Sequence, residues 1–97
     1  MDQFEVVMER LQQQFERAVM QMRQLPYQVD SATKLRLYGL HQQARFGNNS
    51  RTVPAPWQTI EFSKYGAWQD VKGLSAEQAM RHYIELAEAI GRSQVCH

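Results

Sequence analysis

The stretch Leu35-Arg36-Leu37-Tyr38-Gly39-Leu40-His41-Gln42-Gln43-Ala44-Arg45-Phe46-Gly47 decides how the chain is read. Leu37, Leu40 and Ala44 recur at three- and four-residue steps, a helical period. Tyr38, His41 and Arg45 form a second stripe beside the first, with Lys34 one turn before Tyr38. Gly39 in mid-helix costs about 1 kcal/mol relative to alanine. That cost is tolerable where another element approaches the backbone closely. Gly47 supplies a left-handed stop. Asp30 or Ser31 can cap the start, since either side-chain oxygen can accept from an orphan amide of the first turn. The stretch therefore predicts a helix from about Ser31 to Phe46.

Outward from it, three further segments carry the same period. From about Asp2 to Gln24, Phe4, Val7, Met8, Leu11, Phe15, Ala18, Val19 and Met22 share one face, the stripe of a core-packed helix. Asp2 with Glu5 fits a capping pair at its start, and Pro26 marks its end. Gly47 to Pro56 is a polar loop with two prolines, too short to separate domains. From Thr59 or Ile60 to Lys72, Phe62, Tyr65, Trp68 and Val71 form an apolar face, and Gly73 ends the helix. In the fourth segment Ser75 and Gln78 make a reciprocal N-terminal box. Met80, Tyr83, Ile84, Ala87 and Ile90 follow as a buried stripe, and the residues past Gly91 fray into a tail. On the same helix His82 and Glu85, three apart, read as a surface ion pair. Four helices around one core make an all-α domain, with a crossover at the long second connection.

Composition bounds the function. At 97 residues the chain holds one core and one domain. A formal net charge of +1 argues against a protein built to coat nucleic acid or an anionic membrane. The lone cysteine, Cys96, cannot close an internal disulfide, so a reducing compartment is the simpler reading. No apolar run approaches the roughly 20 residues of a membrane span. The N-terminal residues lack a basic flank followed by an apolar stretch, so no secretory leader is expected. We expect a soluble cytoplasmic protein. His41, His82 and His97 lack metal-ligand spacing, and no nucleophile–base pair or glycine-rich phosphate loop is present. The reading is therefore a non-enzyme with no catalytic residue, no metal and no cofactor.

The chemistry that is present is basic and aromatic together. Lys34, Tyr38, His41 and Arg45 share one face of the second helix. Lys64 and Tyr65 lie on the third helix, Tyr83 on the fourth, and Arg23 ends the first. Phosphates want cationic donors and purines want aromatic surfaces, so a nucleotide-bearing ligand needs both.

These residues also carry a resemblance. Leu35 to Gly47 resembles the second-helix signature of the acyl-CoA-binding protein family, roughly LxLYGLYKQAxxGD. Lys64-Tyr65-Gly66-Ala67-Trp68 is similar to its KWxAW motif. Lys72 to Met80 with Tyr83-Ile84 is similar to its LKGxSxExAxxxYI stretch. Phe15, Ala18 and Leu25 fall at first-helix positions of the family, and Pro54 matches its loop proline. The motifs agree in order and spacing from about Phe15 to Glu88. Residues 1–14 would be a helical extension of the first helix, and residues 92–97 a tail.

The resemblance implies a four-helix up-down-down-up bundle that binds fatty acyl-CoA as a monomeric carrier and pool former, without a reaction of its own. It implies no nucleic-acid partner and no stable membrane insertion. Tyr38 would lie against the adenine and reach the 3′-phosphate, and Lys64 would pair with that phosphate. Tyr83 would close over the ligand. Arg23 stands where the family often has a lysine, and Leu35 and the apolar edge of the first helix would border the acyl chain. The chain departs from the pattern at His41, where a tyrosine is expected, and at Gln42, where a phosphate-binding lysine is expected. A charge-assisted hydrogen bond contributes about 1.5–3 kcal/mol against about 1 for a neutral one. Arg45 and Lys34 are the candidates to replace that charge, and His41 can stack on adenine. Asn48 stands for an acidic residue, Tyr65 for the first tryptophan of KWxAW, and Ala55 for the glycine of the family's loop. A second reading is a module of the same fold that docks a protein partner, or dimerises, through Phe4, Val7 or Leu11.

Overall fold

The computed structural model describes residues 3–24 and 28–95, with side chains to residue 93. It contains four helices and, among the described residues, no strand: α1 (Gln3–Gln24), α2 (Ser31–Phe46), α3 (Thr59–Gln69) and α4 (Ala76–Val95). The Asp2 cap, the Pro26 stop, Leu25, Cys96 and His97 lie outside the described residues.

The helix ends follow from local chemistry. Asp30 caps α2: its Oδ1 accepts from the Thr33 amide at 2.7 Å. Hydrogen bonding by the Thr33 side chain, and then by its amide, holds the carboxyl below its ordinary pKa. Gly47 ends α2 at φ 77°, with its amide donating to the Gln43 carbonyl. Ser75 and Gln78 form the expected box at α4. The Gln78 amide donates to Ser75 Oγ at 3.0 Å, and the Ser75 amide to Gln78 Oε1 at 2.9 Å. The α3 helix is shorter than its apolar pattern suggested. Past Gln69 the chain tightens into three-residue bonds, Val71 to Trp68 and Lys72 to Gln69, a common way to close a helix end. Val71 stays buried in this turn. The ion pair on α4 joins Arg81 to Glu77 at 3.1 Å; it is the one ion pair among the described residues, so His82 and Glu85 do not pair.

Packing is sequential: α4 lies against both α1 and α2, and α3 lies against α2. The core joins Leu11, Phe15 and Ala18 of α1 to Leu40, Trp68, Met80, Tyr83 and Ala87. Burying a large apolar side chain contributes about 1.5–3 kcal/mol, so these contacts hold the helices together. The first turns of α1 run past this core. Phe4 is 64% exposed and Val7 48% exposed, so the stripe read as core packing leaves its N-terminal end in solvent.

One polar network crosses the core. Gln43 is 1% exposed. Its Nε2 donates to the Leu74 carbonyl and to Asn48 Oδ1, both at 2.9 Å. Its Oε1 accepts from Trp68 Nε1 at 3.2 Å, which also donates to the Gly47 carbonyl at 2.8 Å. Asn48 Oδ1 accepts a second bond, from the Gly73 amide. The oxygen at position 48 acts as an acceptor here, which an amide supplies as well as a carboxylate. Replacing Gln43 by leucine keeps the volume but strips the Leu74 carbonyl of this partner. We expect a loss of about 2 kcal/mol, and roughly 8–16 °C in melting temperature for a domain of this size. Denaturant unfolding measures it directly, and a loss below about 0.5 kcal/mol would show the network to be incidental.

Candidate ligand-binding site

The site is built around the outward stripe of α2. That stripe is free because the opposite face of the helix is occupied: Gly39, Leu40, Gln42 and Gln43 are buried. A Cβ added at Gly39 would overlap the Ala67 carbonyl of α3, so α2 and α3 touch backbone to backbone there. This is the close approach that a mid-helix glycine predicts. It fixes where Tyr38 of α2 and Lys64 of α3 stand relative to each other.

Those two residues meet. Lys64 Nζ lies 5.5 Å from the Tyr38 ring centroid, a cation–π distance. Both are half-buried, and they line a small cavity of about 30 Å³ together with Arg51 and Pro54. One turn further along α2, His41 faces α1. Its ring stacks on Phe15 with centroids 5.7 Å apart and planes at 27°. Tyr83 of α4 packs edge-on to Phe15 at 5.2 Å and lies 6.2 Å from His41. Three rings from three helices thus form one cluster.

Beside this cluster opens the larger cavity, about 670 Å³, between α1, α2 and the start of α4. Phe15 and His41 give it aromatic wall, Arg23 and Arg45 positive charge, and Met8, Val19, Met20 and Met80 apolar wall. The volume lies in the range of small-molecule sites. Its electrostatics are positive enough to act on the rings. Burial, then Arg45, then Arg23 hold the His41 imidazole below its ordinary pKa, while contact with the Gln42 side chain works the other way. Burial pushes the Tyr83 hydroxyl up, against the pull of Arg23.

The residues read from the sequence therefore divide. Tyr38 and Lys64 share the small cavity, and Arg23 and His41 share the large one. Tyr83 is buried beneath the rings at 4% exposure and supports the wall from behind. Gln42 is buried as well. Lys34 is exposed and Leu35 half-buried, and neither lines either cavity. The apolar edge of α1, expected beside the acyl chain, lines the large cavity through Met8, Phe15 and Val19. Met80 of α4 lines it too; its sequence signal was only a place on the buried stripe of that helix.

Among the described residues no helix is long and apolar enough to cross a membrane. None of the His, Cys, Asp and Glu residues described gather into a metal-holding group. What the arrangement can do is bind: stack a flat ring, hold anionic groups at two places along α2, and cover apolar surface.

Comparison with known proteins gives the same direction. A family profile described as Acyl CoA binding protein matches residues 12–87. Acyl-CoA-binding protein 2 of Saccharomyces pastorianus is 36% identical over 72 residues, covering 74% of this chain and 83% of that protein. Enoyl-CoA delta isomerase 2 of Rattus norvegicus is 31% identical over 86 residues, covering 89% of this chain but 22% of that protein. Among solved structures, Oryza sativa Acyl-CoA-Binding Protein 2 matches with a TM-score of 0.83 at 32% identity, over 87% of this chain and 93% of that one. That match extends to the four-helix bundle as a whole, as the motifs of α2, α3 and α4 implied. Profile, relatives and fold converge: the chain belongs to the acyl-CoA-binding protein family.

Proposed function

We propose that the chain binds fatty acyl-CoA esters of medium to long chain and works as a non-enzymatic carrier and pool former for them. One observation carries the reading. Cations and rings (Lys64 over Tyr38, and Arg23 beside Phe15 and His41) stand along one face of α2, next to apolar wall. Coenzyme A presents the complementary groups, a purine and separated phosphates at one end of a thioester whose other end is hydrocarbon. The positive groups orient the head, and the apolar wall shelters the tail from water.

Titration calorimetry with dodecanoyl-CoA tests this. Saturable one-to-one binding is expected, and its absence would overturn the function. Lys64→Ala and Tyr38→Ala are each expected to weaken binding roughly tenfold, the size of a lost charge-assisted contact, while the thermal melt keeps its cooperative shape. Parental affinity in both variants would remove these residues from the site.

A further inference from the structure

The departure at position 42 leaves a question of charge. Gln42 is uncharged and buried at 9% exposure, so it brings no cation to the ligand. Two cations near it were candidates to do so, and the structure separates them. Lys34 is exposed and lines neither cavity. Arg45, one turn past His41, is exposed and lines the large cavity, and Arg23 of α1 lines it too.

Arg45 has the form of an anion ligand that is not otherwise engaged. Its guanidinium carbon lies 5.7 Å from the Phe46 ring centroid. A guanidinium seated on a ring uses its face and keeps its N–H fork free for a bidentate partner. The one ion pair among the described residues joins Glu77 to Arg81, so no carboxylate claims Arg45. Glu16 is the only acidic group among the residues lining the cavity. The effect of both arginines on His41 reports the same concentration of positive potential. The small cavity beside Lys64 and Tyr38 is a second, separate cationic place on the same helix. A ligand head with two spaced phosphate positions fits such a pair.

We propose that Arg45, acting with Arg23 across the large cavity, binds a phosphate group of the coenzyme A head and supplies the charge that position 42 lacks. This rests on the acyl-CoA reading above. The phosphate is either the 3′-phosphate or the pyrophosphate, which share the chemistry.

The test is titration of the full chain with dodecanoyl-CoA at low and high potassium chloride. The variants are Arg45→Gln, Arg45→Lys and Arg36→Gln. Arg36 is exposed on α2 and lines neither cavity, so its loss removes the same net charge away from the site. Arg45→Gln is expected to weaken binding roughly tenfold at low salt and to flatten the salt dependence, because screening then has less attraction to remove. Arg45→Lys recovers part of the loss, and Arg36→Gln stays within about twofold of the parent. Repeating the comparison with the 3′-dephospho ester locates the contact. A vanished Arg45 effect assigns the 3′-phosphate, and a persistent one assigns the pyrophosphate. Arg45→Gln affinity equal to that of the parent, or equal losses in Arg45→Gln and Arg36→Gln, would overturn the proposal while leaving acyl-CoA binding in place. Failure of the unmodified chain to bind would overturn both.

Discussion

Gly39→Val is expected to cost about 2–3 kcal/mol and to weaken ligand binding by disturbing the packing of α3 on α2. The position of a Cβ is fixed by the backbone, so no rotamer change can move it away. At Gly39 it would overlap the Ala67 carbonyl and lie 2.8 Å from the Ala67 carbonyl carbon and 3.3 Å from the Trp68 amide. All three atoms are backbone and cannot swing aside. The helices must separate, and overpacking of this kind costs about 1–3 kcal/mol and sometimes more. Against that stands the gain in helix propensity when glycine is replaced, about 1 kcal/mol at most for alanine and less for a β-branched residue. The overlap wins for valine by a wide margin and for alanine by a smaller one. A domain of this size has about 5–15 kcal/mol of total stability, so valine consumes a large part of it. Gly66 is the control. It lies inside α3, and a Cβ there meets nothing within 4 Å, so Gly66→Ala is expected to be neutral or stabilising by up to about 1 kcal/mol. Equal denaturation midpoints for Gly39→Val and the parent would refute the close packing of α2 on α3.

The helices were legible in the chain because their causes are local. Asp30, Ser75 with Gln78, Gly47 and Gly73 each act within a turn of their own position, and the apolar steps of α1 and α4 repeat within one helix. Gly39 shows where this kind of reading stops. Its cost announces that something comes near, but Ala67 lies 28 positions away and no period points to it. The α3 helix shows the other limit. Ile60 and Phe62 are 70% and 42% exposed, although Phe62 falls on the apolar face. Apolar steps report which residues share a side, and whether a neighbour covers that side depends on helices elsewhere.

The site divides along the same line. Tyr38 and Lys64 were readable from their motifs, and they meet. The cluster of Phe15, His41 and Tyr83 joins α1, α2 and α4, so its geometry follows from the packing of three helices. Gln42, which the family motif places among the ligand contacts, is buried with Gly39, Leu40 and Gln43 on α2, a depth that depends on how the helices pack and not on the motif.

Acyl-chain length is expected to change affinity more than any single substitution at the head. At about 0.8 kcal/mol per sheltered methylene, four added carbons contribute up to roughly 3 kcal/mol, on the order of 200-fold. The wall able to provide that shelter runs from Met8 to Met20 along α1 and includes Met80 on α4. From Met8 to Arg23 the helix rises about 22 Å, so the same cavity has length for hydrocarbon beyond its cationic end. Met8 lies before residue 12, where the family match begins, and adds apolar wall upstream of it. Methionine side chains are unbranched and refit to irregular partners, so the rise should be smooth before it levels off where further carbons reach water. Calorimetry with the eight-, twelve- and sixteen-carbon esters measures it, and equal affinity for all three would mean that the tail stays in solvent. The head contributes a constant that does not depend on the tail. Lys64→Ala and Arg45→Gln should therefore lower the whole profile without changing its slope, because the atoms they remove meet phosphate. A changed slope in either variant would mean that the removed cation had been shaping the apolar wall, and the division between head and tail would have to be redrawn.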